Sequence, residues 1–147
     1  ASARMGKWGQ VVHVRGDHGS GKSLLLLHVM ANYLLPKEWG GGAAPVLYID
    51  VDMKLDILHF ARILECLLLQ REKERARESK GGTGRRVVAE RETERLEVVT
   101  ACLERLEVIR CANRTQWIAA IQTLPNLLVC RPQRISAIFL DCYSGMH

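Results

Sequence analysis

Eight consecutive residues, Gly16-Asp17-His18-Gly19-Ser20-Gly21-Lys22-Ser23, match the spacing GxxxxGK[ST] at every fixed position. Each residue type in that pattern has a chemical task. Glycines let the main chain take angles that other residues disfavour, and they let a phosphate come close to backbone N–H groups. A helix opening at the lysine adds the positive end of its dipole. Lys22 offers a mobile cation to the outer phosphates, and the Ser23 hydroxyl offers a ligand to magnesium. Asp17 and His18 occupy variable positions, and the charge of Asp17 favours an outward side chain. The eight residues are therefore candidate ligands for the phosphates of a nucleotide and for Mg2+. The competing reading is an unrelated glycine turn at a helix start. Average residue frequencies make a chance match rarer than roughly one in a hundred chains of this size.

A nucleotide site of this kind also needs carboxylates at strand ends. Asp141 follows the apolar run Ile138-Phe139-Leu140, which suits a residue holding the water shell of magnesium, or else a helix cap. Asp50 and Asp52 close a second apolar run, with Val51 between them. Their side chains alternate in direction along a strand. One of them can face the outer phosphate and orient attacking water as a general base, while the other makes a cap or a fold contact. For Asp52 the catalytic and the capping readings both stand.

The elements that position these residues follow from the apolar pattern. Gln10 to Arg15 (QVVHVR) reads as a buried strand running into Gly16. Lys22 to Leu35 is apolar nearly all round and suits a helix buried on more than one side, ended by Pro36 and the Gly40-Gly41-Gly42 cluster. Val46 to Val51 is a second strand. A helix follows from Leu55 to about Gln70, with Leu55, Leu58, Ile63, Leu64, Leu67 and Leu68 on one broad face. Val87 to Leu106 is again helical, with Val88, Leu96, Val99, Leu103 and Leu106 on one side, and Glu107 to Cys111 suits a third strand. Asn113 caps a helix from Thr115 to about Leu124, before Pro125, and Ile135 to Leu140 is a fourth strand. Strands alternating with helices imply an α/β fold, a mostly parallel sheet flanked by helices in a single domain over residues 1–147.

Between Arg71 and Arg95 nine basic and six acidic residues displace most apolar ones, which marks an exposed, partly disordered insertion or a basic arm that touches DNA. A net charge of +5 leans toward an anionic partner. Cys66, Cys102, Cys111, Cys130 and Cys142 form no CxxC pair, which argues against a disulfide framework or a zinc module. Cys66 and Cys102 have apolar neighbours and read as core residues. The longest apolar stretch, Leu24 to Leu35, is half of the roughly 20 residues needed to span a bilayer, and no secretory signal is visible.

The order of these motifs resembles the RecA-like recombinase ATPases, and more closely their eukaryotic paralogues. The resembling segments are Gly9 to Ser23, Leu35-Pro36-Lys37, Val46 to Leu58 and Ile135 to Ser144, with weaker similarity around Val108 to Leu128. The resemblance implies a P-loop core that is incomplete toward the C-terminus. It also implies ATP binding through Lys22 and Ser23, metal holding by Asp141, and a nuclear role in homologous recombination and double-strand-break repair. Partners would be other recombinase paralogues in a hetero-oligomer, and DNA, single-stranded or branched. Active recombinases carry glutamate where this chain has Asp52, one methylene shorter. A general base works within roughly 2.6–3.2 Å of its proton or through one water. Three functions therefore stand: a recombination ATPase, a nucleotide-binding assembly scaffold without turnover, and a P-loop small-molecule kinase. The kinase needs a substrate lid that no segment suggests.

Overall fold

Val46–Asp50 contains no exposed residue, and it forms the central strand, β1. The computed structural model of the 147-residue chain describes residues 10–51, 53–78, 88–130 and 135–141. β2 (Leu106–Arg110) and β3 (Ala137–Asp141) flank β1, both parallel to it, in the order β2-β1-β3. The helices are α1 (Lys22–Leu34), α2 (Ile57–Glu78), α3 (Val88–Glu104) and α4 (Arg114–Cys130). The chain is thus α/β with a parallel sheet flanked by helices, as its alternating pattern predicts. No described helix is long and apolar enough to cross a membrane.

Alternation along β1 builds two apolar layers. Val46 and Tyr48 face α1, α2 and α3 and pack with Leu34, Phe60, Leu64, Cys102 and Phe139. Leu47, Ile49 and Val51 face α4, where Ala120, Trp117 and Leu124 cover them. Local chemistry fixes the helix starts. The Asp56 carboxylate accepts from the N–H groups of Leu58 (2.9 Å) and His59 (3.2 Å) at the head of α2. Asn113 accepts from Gln116 N–H at 2.9 Å, and the Gln116 side chain returns to Ala112 N–H at 2.7 Å.

The direction of α1 matters most for the site. Leu34, its last residue, presents its carbonyl oxygen to Arg105 Nη1 at 3.1 Å and to Cys102 Sγ at 3.4 Å. Arg105 directly precedes β2, and its own carbonyl accepts from Val46 N–H at 3.0 Å, at the start of β1. The tail of α1 therefore lies at the edge where the strands begin. Its head, with the glycine loop, points toward the edge where they end.

Several expectations need correction. Residues Gln10 to Arg15 form no strand, and Val11 and Val12 are 88% and 81% exposed. The reason is topological. Parallel connections are right-handed, so helices on one face lead the chain one way across the sheet and helices on the other face lead it back. α2 and α3 lead from β1 to β2 on one face, and α4 returns to β3 on the other. α1 shares the face of α2 and α3, so a strand before it belongs on the β3 side of β1. The resemblance implies one further strand between that position and β3, and no described residue supplies it. Valine favours strands because it packs on a paired, half-buried surface, and among the described residues no strand offers that surface to Val11 and Val12.

For the same reason α1 is buried on one side only, through Leu27, Met30, Ala31 and Leu34, while Leu24, Leu25, Val29 and Tyr33 are exposed. α4 runs through Pro125 to Cys130 rather than stopping at Leu124. α2 continues to Glu78 through the charge-rich segment, and α3 opens within it. Arg95 Nη1 meets Glu72 Oε2 at 3.1 Å across the two helices, so these charges partly pair with each other. Residues 79–87 lie outside the described residues. Leu58 is 74% exposed, Leu96 is also exposed, and Cys66 is an exposed thiol rather than a core residue.

Candidate nucleotide site

The glycine loop lies between the exposed segment and α1. Gly19 and Gly21 have φ of +76° and +85°, the left-handed region where a side chain is strained. Gly16 has a different task, since a Cβ there would come within 2.7 Å of Ser20 Oγ. With these turns the loop curls around the Lys22 ammonium. Nζ lies 2.7 Å from Gly16 O, 2.6 Å from Asp17 O and 3.4 Å from Ser20 Oγ. An ammonium has three donors, so the loop satisfies all of them and holds the charge at its centre.

At the head of α1, Gly21 is the capping position, no side chain caps the helix, and its first turn holds no acidic residue. Ser23 is exposed in that first turn. The N–H groups of a helix start have no partner within the helix. Together these features fit an anion: inward curvature, a central cation, amides with no side-chain cap and no acidic residue in the helix's first turn. Asp17 and His18 are exposed on the loop, with the Asp17 carbonyl, not its carboxylate, turned to Lys22.

The carboxylates sit at the same edge of the sheet. Asp50 and Asp141 are register partners at the ends of β1 and β3. Asp50 is 1% exposed, and its two oxygens accept from Lys54 N–H at 3.0 Å and Leu55 N–H at 2.9 Å. It is therefore the fold contact of the acidic pair. The Cys111 thiol nearby is pushed up from its ordinary pKa, first by burial and second by the negative charge of Asp50. Arg110 Nη2 donates to Leu55 O at 2.9 Å, which ties the same loop to the end of β2. Met53 in this loop has φ of +56°. Asp52, the candidate base, lies outside the described residues.

Asp141 ends β3, half-buried, and its Oδ2 accepts from the Tyr48 hydroxyl at 3.1 Å. Among the described residues no hydrogen bond joins Lys22 or Ser23 to Asp141. They share the C-terminal edge of the sheet, on the α1 side. No motif spacing singles out Tyr48. A usable signal was present, because a tyrosine inside a buried strand needs a partner for its hydroxyl.

No family model matches the chain. Two known proteins are similar to it along nearly its whole length. The DNA repair protein XRCC2 of Mus musculus is 27% identical over 139 residues, covering 95% of this chain and 41% of the mouse protein. The DNA repair protein XRCC2 homolog of Arabidopsis thaliana is 26% identical over 162 aligned residues, covering 95% of this chain and 41% of the plant protein. The chain thus spans about two fifths of the length of these relatives, and its similarity to the two DNA repair proteins extends over 95% of its own.

Proposed function

We propose that this chain is the ATP-binding core of a recombinase paralogue that acts in homologous-recombination repair of DNA double-strand breaks in the nucleus. The observation that carries the reading is the similarity to two DNA repair proteins over 95% of the chain, with a phosphate loop curled around Lys22 inside that span. In this reading the outer phosphates of ATP displace loop carbonyls from Lys22. The amides of Gly19 to Ser23 hold phosphate oxygens, and Ser23 and Asp141 hold Mg2+ directly or through water. When bound there, Mg2+ would supply charge neutralisation for the phosphate oxygens that the loop and Lys22 hold. The assembly is a hetero-oligomer with other recombinase paralogues that assists recombinase filaments on single-stranded or branched DNA.

A specific residue favours a second reading, a nucleotide-dependent assembly scaffold with little turnover. Asp52 stands where an active recombinase carries glutamate, and its shorter arm brings the carboxylate less close to an attacking water. DNA-stimulated ATP hydrolysis and partner assembly, measured on the full-length protein with its paralogues, separate the two. Turnover lost in both Lys22→Ala and Asp52→Ala supports a weak DNA-dependent ATPase. Absence of turnover together with assembly that depends on Lys22 supports the scaffold. Assembly and repair that are both indifferent to Lys22→Ala overturn the nucleotide role.

A further inference from the structure

Tyr48 and Asp141 come together through the register of two neighbouring strands. Tyr48 on β1 pairs with Phe139 on β3, so Asp141 stands two residues further along β3, on the same face. A diagonal neighbour on a parallel strand is out of reach for short side chains but within reach of a tyrosine ring. The phenol is buried, 2% exposed, and its hydroxyl donates to Asp141 Oδ2 at 3.1 Å. The second carboxylate of this edge, Asp50, stands directly opposite Asp141. Both of its oxygens are already taken by the N–H groups of Lys54 and Leu55. At the end of β1 and β3, then, three of the four carboxylate oxygens have donors from the protein itself. Among the described residues, Asp141 Oδ1 is the oxygen of this pair that has no protein donor.

We propose that Tyr48 is a positioning residue for the metal side of the nucleotide site. Its phenol commits Oδ2 of Asp141, fixes the carboxylate plane, and leaves Oδ1 as the oxygen presented to the water shell of Mg2+. This inference rests on the nucleotide-binding reading above. It predicts a defined division of labour. Lys22 and the loop amides govern affinity for the phosphates with or without metal. Tyr48 governs only the part of the affinity that depends on metal.

The test uses a fluorescent ATP analogue and the whole chain. Affinity is measured in EDTA and across a Mg2+ titration for wild type, Tyr48→Phe, Asp141→Asn and Lys22→Ala, with thermal unfolding of each variant recorded alongside. Tyr48→Phe keeps the ring in the core and removes only the hydroxyl. The expected result is an unchanged affinity in EDTA and a rise of about tenfold in the Mg2+ concentration at half-maximal binding. That is the lower end of the cost of losing a partner to a metal-holding group. Asp141→Asn should shift the same midpoint further, and Lys22→Ala should weaken binding under both conditions. An unchanged Mg2+ midpoint in Tyr48→Phe, with wild type binding normally, overturns the positioning role alone. A Tyr48→Phe variant that loses affinity equally in EDTA overturns it too, because a purely structural role acts that way. Failure of wild type to bind the analogue overturns both this inference and the nucleotide reading.

Discussion

The guanidinium of Arg105 lies 3.1 Å from the carbonyl oxygen of Leu34, linking the residue before β2 to the last residue of α1. A helix end carries carbonyls without partners and the negative pole of the dipole, so a cation there stabilises twice over. Arg105→Ala should lower the unfolding free energy by about 1.5–3 kcal/mol, the range for a hydrogen bond involving a charged group. Urea denaturation of wild type and variant measures it. A change within error would show that water serves Leu34 equally well.

Two glycines separate conformational strain from steric exclusion. Gly21→Ala places a side chain at φ of +85° in open space and should cost about 1 kcal/mol. At Gly41 a Cβ would fall inside the van der Waals envelope of the Leu35 carbonyl, backbone that cannot swing aside. Gly41→Ala should therefore cost about 3 kcal/mol, near the top of the range for overpacking. Thermal melts of the two variants should rank them in that order, and the reverse order would refute the account of the turn after α1.

Asp50 is the acidic residue whose task is structural. Asp50→Ala leaves the buried N–H of Leu55 and the part-buried N–H of Lys54 without this acceptor, and a buried unpaired amide costs about 1–3 kcal/mol. The expected loss is about 2–3 kcal/mol, most of it at Leu55, against about 1 kcal/mol for Asp56→Ala, which removes an exposed helix cap. Chemical denaturation compares them. Equal losses would place the anchoring of this loop elsewhere.

How far the sequence could show these relations depends on where each signal resides. β1 was legible because a strand buried on both faces is a continuous apolar run, VLYID. The glycine loop was legible because its geometry needs particular residue types at fixed spacing. The strand at Val11 and Val12 was misread because propensity describes a residue, whereas a strand needs a neighbour. Pro125 was read as a stop, but the helix continues beyond it, so the local rule was overridden by the rest of α4. Tyr48 with Asp141, and Arg105 with Leu34, join residues 93 and 71 positions apart. Strand register creates the first pair and the packing of α1 against the start of β2 creates the second, so neither is visible before the chain folds.

Burial pushes the Cys102 thiol up to about 11, with Arg105 pulling weakly the other way. The neutral thiol is thus favoured by folding. Below its ordinary value of 9.0 both states hold the proton, and this contribution to stability is complete. As pH rises from about 9 toward about 11 the unfolded chain releases its proton first, and the contribution is lost. Wild type should therefore lose more stability than Cys102→Ala between pH 8 and pH 10.5 in parallel denaturation curves. In native protein at pH 8, iodoacetamide should label the exposed Cys66 and Cys130 well before Cys102 and Cys111, as read by mass spectrometry of the peptides.

The clasp at Leu34 gives α1 a mechanical character. Its thirteen residues make a rod about 20 Å long, clasped at the tail by Arg105 and Cys102 and bedded along one side by Leu27, Met30, Ala31 and Leu34, with the glycine loop at the opposite tip. A rod bedded along its length resists tilting, so the loop at its tip inherits the stiffness of the core beneath it.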